Sequence, residues 1–489
     1  MFPGLASMTP NFIFLASTLL AGLLASSVAL SESLTAQVVY PFDLPSRIEA
    51  TINVDTKQTT PVKEMLFGLN CNWPEGDYGK VGYNHSKAQE LILGFNPSSL
   101  RFPHGVWSNF YDYESDGRRM TDNYETLYDT AVRDHPDLKY GIDGLERLHD
   151  RLGFDVLFTW NVNYDNAEKG ARRLVDTQQR GFNVKWIELG NEIFWKTQRS
   201  EAVRTVEKYI EVSKGHAAAI REISPSVKIS VPVQWRKAET DHWNAVLKNE
   251  DFFDAVTVHK YIHGKSNREG AAELLRAGRD FIEMADTMEK VFPGRPLWIS
   301  EWAVDCGENA ISALAMANVY LTLVEYQDRF EIADFFQMNA GHPLLQYDKK
   351  SETYTRTSFG AVYEIIRGVF EQSHLCESQI ESPIIADGVE AVSALAVLKK
   401  GELIVIAINQ TPKHVPLDLT MNGSISQRPL VHHALAFDDV NQWKMFEMDE
   451  SVMQPQAGGL KNDRPTNQII LPPLSINRIS INQTYESVH

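Results

Sequence analysis

Cysteine is nearly absent: the chain of 489 residues holds three, Cys71, Cys306 and Cys376. Three thiols cannot build a disulfide framework; they allow one bridge and a leftover thiol, or three buried thiols. None sits in the Cys/His spacing of a zinc site, and no metal or organic cofactor is called for. An excess of basic side chains is lacking too. Lys and Arg number 47 against 64 Asp and Glu, a net charge of -17. That balance opposes attachment to phosphate backbones or anionic lipid and sets nucleic acid aside as a partner. The Gly-x-Gly-x-x-Gly turn of dinucleotide-binding sheets does not occur, which weighs against a doubly wound fold.

Long apolar runs are confined to one place. "NFIFLASTLLAGLLASSVAL" runs from Asn11 to Leu30 with no Lys or Arg before it. It reads as the core of a secretory signal occupying residues 1–36, or, at this length, as an uncleaved anchor. The expectation is an exported protein, secreted, periplasmic or on the cell surface, that touches a membrane only if this segment is retained.

What is present is a repeating alternation. Eight short apolar runs are separated by longer stretches of helix formers: "MLFGLN" (65–70), "SSLRFP" (98–103), "DVLFTWNVN" (155–163), "VKWIELGNE" (184–192), "KISVPVQW" (228–235), "AVTVHKYIH" (255–263), "PLWISEWAV" (296–304) and "ADFFQMNA" (333–340). Eight strand–helix units within residues 64–370 predict a (β/α)8 TIM barrel. From residue 371 to 489 the pattern changes to short β-branched runs divided by turn residues, as in "GELIVIAINQ" and "LSINRISIN". This predicts an all-β sandwich. "SRIEATINVDT" alternates in the same way before the barrel, so residues 37–63 are expected to add strands to that sandwich.

In such a barrel, chemistry is assembled at the C-terminal ends of the strands. The fourth run ends at Asn191-Glu192 and the seventh at Glu301. Two carboxylates brought to one rim suit glycoside hydrolysis, in which one protonates the leaving oxygen and the other attacks the anomeric carbon. Strand alternation places Glu188 inside the barrel, a charge that requires a partner; Arg101, closing the second strand, is the candidate. His259 and Tyr261 share a face of the sixth strand and can line the same pocket. Trp73, Trp107, Trp160, Trp195, Trp235 and Trp302 all lie at or just beyond strand ends, and sugar rings present apolar C–H faces that stack on aromatics. Trp107, Trp160 and Trp302, with Asn70 at the end of the first strand, complete the expected carbohydrate-binding set.

These residues resemble glycoside hydrolase clan A, in which an Asn-Glu pair ends the fourth strand and a second Glu ends the seventh. The likeness runs from "FGLNCNW" to "FFQMNAGH". It implies that Glu192 is the acid/base, Glu301 the nucleophile, and Asn191 a donor to the sugar 2-hydroxyl. The barrel-plus-sandwich layout is similar to families 51, 30, 39 and 79. "LRFPHGVW" resembles the arabinofuranosidase Arg-x-Pro-Gly-Gly segment with His104 at the first Gly. "VTVHKYIHG" resembles the sixth strand of arabinofuranosidases and of heparanase-like glucuronidases, and "ISEWAVD" the arabinofuranosidase seventh strand. Asn70 stands where those enzymes carry a sugar-binding Glu. The implied activity is retaining hydrolysis of a carbohydrate substrate, arabinofuranosidase-like. The alternatives are an endo-acting hydrolase of algal or plant polysaccharide, a glucuronidase, an inactive carbohydrate-binding barrel, or a cell-surface scaffold.

Overall fold

The computed structural model describes residues 40–71, 85–118, 141–264, 268–305, 309–338, 343–425, 430–437, 446–447, 451–453 and 468–482. The apolar run within residues 1–36, Trp73 and Cys306 lie outside them. No helix among the described residues is long and apolar enough to cross a membrane.

Eight parallel strands close into a barrel. In order they are Gly68–Asn70, Ser99–Phe102, Asp155–Trp160, Trp186–Leu189, Lys228–Pro232, Ala255–His263, Leu297–Asp305 and Phe330–Phe335. Each expected run overlaps one, although the eighth strand begins three residues before its run and the seventh ends one residue beyond it. The eighth strand pairs with the first, Asp334 opposite Gly68, and closes the ring. Inside, Met65, Leu157, Ala255, Trp298 and Ile332 form a separate apolar plug. Above it the interior turns polar, with buried Ser99, Ser230, Thr257 and Asp334. Two pairs of these groups bond across strands, Thr257 Oγ1 donating to Ser230 Oγ at 2.7 Å and Ser99 Oγ to Asp334 Oδ1 at 3.0 Å.

The seventh strand departs from strict alternation. Thr257 of the sixth strand faces Trp298, yet His259, two residues on, faces Glu301, three residues on. This bulge inserts one residue and resets the inward face. Trp298 therefore reaches the barrel floor while Glu301 also points inward at the rim.

Four of the longer helices start at side-chain caps that satisfy otherwise orphaned amides. Asn166 caps Ala167–Gln179, Thr205 caps Val206–Ile223, Asn309 caps Ala310–Glu325, and Thr357 caps Ser358–Phe370. The third of these, "AISALAMANVYLTLVE", is apolar nearly all round, as befits a helix buried on every side. One side packs on the barrel and the other meets the second domain.

That second domain is an 11-stranded, mostly antiparallel sheet. Ala50–Pro61 belongs to it, antiparallel to His374–Glu381 and parallel to Val415–Met421. Its central strand, Glu402–Asn409, has no polar alternation because both faces are buried. Ile404, Ile406 and Ile408 join the core shared with the barrel helices, whereas Leu403, Val405 and Ala407 join the sheet's own core with Ile52, Val54, Leu417 and Ile479. The sheet is thus fastened to the barrel by one face and closed on itself by the other. Cys71 and Cys376 are both buried, and neither belongs to a disulfide.

Candidate active site

The fourth strand ends at Leu189, and the residues beyond it reach the rim through a turn rather than by continued alternation. Gly190 has φ 86°, and a Cβ there would lie 2.5 Å from Ile193 Cγ1 and 2.9 Å from Val162 Cγ2. Only glycine fits. Glu192 follows with φ 46°, a left-handed conformation uncommon outside glycine. The two reversals swing the Glu192 side chain over the barrel mouth, where it is partly exposed.

Beneath it lies a buried charge cluster centred on Arg101, whose side chain is fully enclosed. Its Nε donates to Glu188 Oε2 at 2.8 Å, one terminal nitrogen donates to Glu301 Oε1 at 2.6 Å, and the other to Asn191 Oδ1 at 2.8 Å. Glu188 thus has the partner its position demanded. Burial works against the guanidinium charge, but the two carboxylates outweigh it and keep Arg101 above its ordinary range. The planar fork of arginine suits this three-way task.

Glu301 receives a second donor, Tyr261 OH, at 2.7 Å on Oε2. His259 completes the arrangement. Its Nδ1 lies 3.2 Å from Glu192 Oε1 and 3.2 Å from Glu301 Oε2, and its Nε2 is 3.1 Å from Ser300 Oγ. Burial alone would raise the Glu301 carboxyl; the charges of His259 and Arg101 and the hydrogen bonds of His259 and Tyr261 overcome it and hold it well below the usual carboxylate range. Burial alone would lower the His259 imidazole, but Glu301, Glu188 and Glu192 push it well above its ordinary value. Burial and the Glu301 charge both raise the Tyr261 phenol, which stays a donor. The arrangement holds one carboxylate ionised and desolvated beside a second, more accessible one. Such an arrangement can divide the work of a nucleophile from that of a proton carrier.

Glu192, Glu301, Asn191, Arg101, His259 and Tyr261 therefore converge within one hydrogen-bonded group. Arg101 and Asn70 occupy a different place from the one expected of sugar-binding residues. Asn70 is fully buried, its amide nitrogen donating to Ser300 O at 2.7 Å and Asp334 O at 3.2 Å, its Oδ1 accepting from Arg101 at 3.3 Å. Both residues brace Glu301 from below. Trp160 and Trp302 face away from the cleft. Trp160 is fully buried on the helix side, with the Arg173 guanidinium 4.0 Å over its ring. Trp302 is enclosed by Phe281, Tyr320 and Phe335. Neighbours on a strand face opposite ways, so the inward turn of Glu301 sends Trp302 outward. Trp107 is partly exposed, in the 3-10 turn Gly105–Phe110 that follows the second strand. Gly105 of that turn lies against Glu301, a Cβ there falling 3.7 Å from Oε1.

Two further residues sit in short 3-10 turns beyond the strands, Gly105–Phe110 and Lys196–Gln198, too brief to leave a period in the sequence. Asn109 is fully buried and grips Asn191 by both backbone groups: Asn191 N donates to its Oδ1 at 3.0 Å, and its Nδ2 donates to Asn191 O at 2.8 Å. Gln198 donates from Nε2 to Glu192 Oε2 at 2.9 Å.

No protein-family model and no curated protein matches the chain. Solved structures do. The family 51 arabinofuranosidase from Xanthomonas axonopodis pv. citri aligns with TM-score 0.68 at 15% identity, covering 89% of this chain and 100% of that one. The α-L-arabinofuranosidase of Thermotoga maritima, solved as an arabinose complex, aligns with TM-score 0.69 at 15% identity over 88% and 100%. A Paenibacillus polymyxa xyloglucanase of family 44, solved with xyloglucan, gives TM-score 0.62 at 13% identity over 89% and 99%. The fold is that of family 51 and family 44 glycoside hydrolases. The likeness spans barrel and sheet domain together.

Proposed function

We propose that the chain is a retaining glycoside hydrolase in which Glu301 is the nucleophile and Glu192 the acid/base. The observation that carries this reading is the shared contact to His259 Nδ1. Each carboxylate has an oxygen 3.2 Å from that nitrogen, so those oxygens are no more than twice that distance apart. This supports the ~5–5.5 Å separation of retaining pairs over the ~6.5–9.5 Å of inverting ones.

In this mechanism the ionised Glu301, oriented by Arg101 and Tyr261, attacks the anomeric carbon. The proton on Glu192 passes to the glycosidic oxygen as the C–O bond breaks. The glycosyl ester on Glu301 is then cleaved by water, whose proton Glu192 accepts. Asn191 supplies an amide donor whose one hydrogen bond among the described residues, to Gln198 Oε1 at 3.4 Å, is long; it can turn to bond the sugar 2-hydroxyl.

The family 51 likeness supports an α-L-arabinofuranoside as substrate. A second reading, endo-action on a plant polysaccharide backbone, is favoured by the family 44 likeness and by the burial of Asn70, which leaves the first strand without a sugar-binding carboxylate. The apolar run 12–30 supports export of the enzyme. Activity is tested with 4-nitrophenyl α-L-arabinofuranoside, 4-nitrophenyl β-D-glucuronide, arabinan, xyloglucan, xylan and agarose. Release from the arabinoside alone supports the first reading and shortening of a polysaccharide backbone the second. No hydrolysis of any of them by protein that wild-type folding measurements show intact contradicts the proposal.

A further inference from the structure

The ladder of the fourth strand stops short of the carboxylate it delivers. Its last pairs are Leu189 with Trp160 on one side and Glu188 with Ser230 on the other. Gly190, Asn191 and Glu192 then turn out of the sheet, and buried backbone groups that leave a sheet need other partners. Tyr209 OH donates to Leu189 O at 2.9 Å. Asn191 finds both of its partners in one side chain, that of Asn109: the backbone N donates to Oδ1 at 3.0 Å, and the backbone O accepts from Nδ2 at 2.8 Å. A residue in an antiparallel ladder exchanges two such bonds with the residue opposite. The Asn109 amide therefore takes the place of a neighbouring strand.

The two bonds hold two different peptides. Asn191 N belongs to the peptide that joins Gly190 to Asn191, and Asn191 O to the one that joins Asn191 to Glu192; these lie between the reversals at φ 86° and φ 46°. Their directions are fixed, because a backbone N–H only donates and a carbonyl only accepts. The second hydrogen of Nδ2 goes to Gln198 Oε1 at 2.7 Å, so the buried amide is satisfied at every polar end. The turn that carries Asn109, Gly105–Phe110, is closed by Ser108 Oγ donating to Gly105 O at 2.7 Å. Just beyond it, Asn161 Nδ2 donates to Tyr111 O at 2.9 Å. The start of the turn lies against the other carboxylate, a Cβ on Gly105 falling 3.7 Å from Glu301 Oε1. One six-residue turn thus abuts Glu301 and grips the backbone that presents Glu192. The Asn191 side chain is held separately, by Arg101 at 2.8 Å.

We propose that Asn109 is a positioning residue which, by standing in for a strand at Asn191, sets the Glu192 carboxylate in its place opposite Glu301. The inference rests on the acid/base reading of Glu192 and adds to it the group that holds that residue. No bond to substrate is required of Asn109. Without its amide the two peptides lose their partners and the reversals relax, which carries Glu192 away. Glu301 stays, since Arg101, Tyr261 and His259 hold it independently. The proton donor of the first step and the base of the second are the same displaced group, so both steps suffer while nucleophilic attack does not.

The test compares two substrates of one sugar, 2,4-dinitrophenyl and methyl α-L-arabinofuranoside, or the same pair built on whichever glycone the activity measurements identify. Dinitrophenolate leaves without a proton; methoxide needs one. Asn109→Leu, similar in size but unable to hydrogen-bond, is expected to lower kcat/KM for the methyl glycoside about 10²-fold, the scale of a 1 Å misplacement. For the dinitrophenyl glycoside kcat/KM should change less than about three-fold while kcat and KM fall together, because the ester on Glu301 forms as before and then waits for its base. The initial burst of dinitrophenolate counts the folded sites, so a loss of folded protein lowers its amplitude and not the rate per site. Asn109→Asp, which keeps the acceptor for Asn191 N but loses the donor to Asn191 O, should show the same pattern and serves as the test if the leucine variant does not fold. Equal losses of kcat/KM per folded site on both substrates, an unchanged KM for the dinitrophenyl glycoside, or wild-type rates on the methyl glycoside overturn the role of Asn109. The acid/base reading itself fails separately, if Glu192→Ala hydrolyses the methyl glycoside at the wild-type rate.

Discussion

Arg101 and Glu301 form an ion pair with almost no access to water, 2.6 Å between the guanidinium nitrogen and Oε1, at the mouth of a barrel whose floor is apolar. The same guanidinium neutralises Glu188. Truncation takes from Glu188 the cation that contacts it and leaves Glu301 with His259 and Tyr261 alone. Arg101→Met should cost about 3–5 kcal/mol of folding stability, as breaking a buried pair does. Arg101→Lys retains the charge but not the fork that reaches three acceptors, and should lose activity more than stability. Urea unfolding of the two variants checks this; a loss below about 1 kcal/mol for Arg101→Met, the scale of a surface pair, contradicts it.

Asp334 is a further buried carboxyl, close enough to feel the Arg101 charge but in no ion pair among the described residues. Burial pushes it up to about 8, opposed by a hydrogen bond from Ser99. In the unfolded chain it titrates at ~3.9, so folding at neutral pH requires proton uptake. Its contribution to stability is whole below the unfolded value and is lost progressively as pH rises toward 8. Asp334→Asn keeps the shape and removes the titration. Thermal midpoints across this range should fall less steeply with pH in the variant, which should be the more stable protein at neutral pH. An unchanged slope would show that Asp334 is ionised when folded.

His259 and Glu301 bias stability in opposite directions. The imidazole is raised by its three carboxylate neighbours against the effect of burial. Its stabilisation is complete below the unfolded value of ~6.5 and is lost as pH climbs through the folded one. Glu301 is lowered, so its stabilisation is present above ~4.3 and lost as pH falls. Imidazole resonances recorded by NMR should show His259 still protonated at pH 7. His259→Gln should lose the alkaline decline in stability. A His259 resonance titrating near its ordinary value contradicts the ion-pair description.

Gly190→Ala tests the turn that delivers Glu192. The added Cβ falls 2.5 Å from Ile193 Cγ1 at a φ of 86°. Overpacking of this kind costs about 1–3 kcal/mol, and the displaced turn should carry Glu192 away from His259. Activity should therefore drop by more than the stability change explains, measured as kcat/KM at a temperature where the variant is fully folded. Wild-type kcat/KM would show that the turn tolerates a side chain.

The eight strands and the two strand-end carboxylates were legible in the sequence because the signal is local: an apolar run that ends by presenting a Glu. The Arg101–Glu188 pair was legible from alternation, since a charge facing the barrel axis needs an opposite charge within reach. The bulge at Ile299–Ser300 was not, because the count from Trp298 alone would turn Glu301 to the helix side. Trp160 and Trp302 share strand-end positions with residues that do reach the cleft, and position along a strand does not report which face a side chain takes. For Trp302 the neighbouring Glu301 carried that information. Gln198 and Asn109 belong to 3-10 turns of three and six residues, too short to leave a period in the sequence. Only the hydrogen bonds to Asn191 and Glu192 reveal them.

Azide rescue tests the pairing of Glu192 with Glu301 most directly. With 2,4-dinitrophenyl α-L-arabinofuranoside, or the corresponding glycoside of the sugar that the enzyme hydrolyses, the product configuration is read by NMR. Azide should restore turnover to Glu301→Gly by attacking the anomeric carbon from the vacated nucleophile side, giving the glycosyl azide of inverted configuration. It should accelerate Glu192→Ala by intercepting the ester on Glu301, giving the azide of retained configuration. Full activity of Glu301→Gly without azide, or the same anomer from both variants, would contradict the assignment.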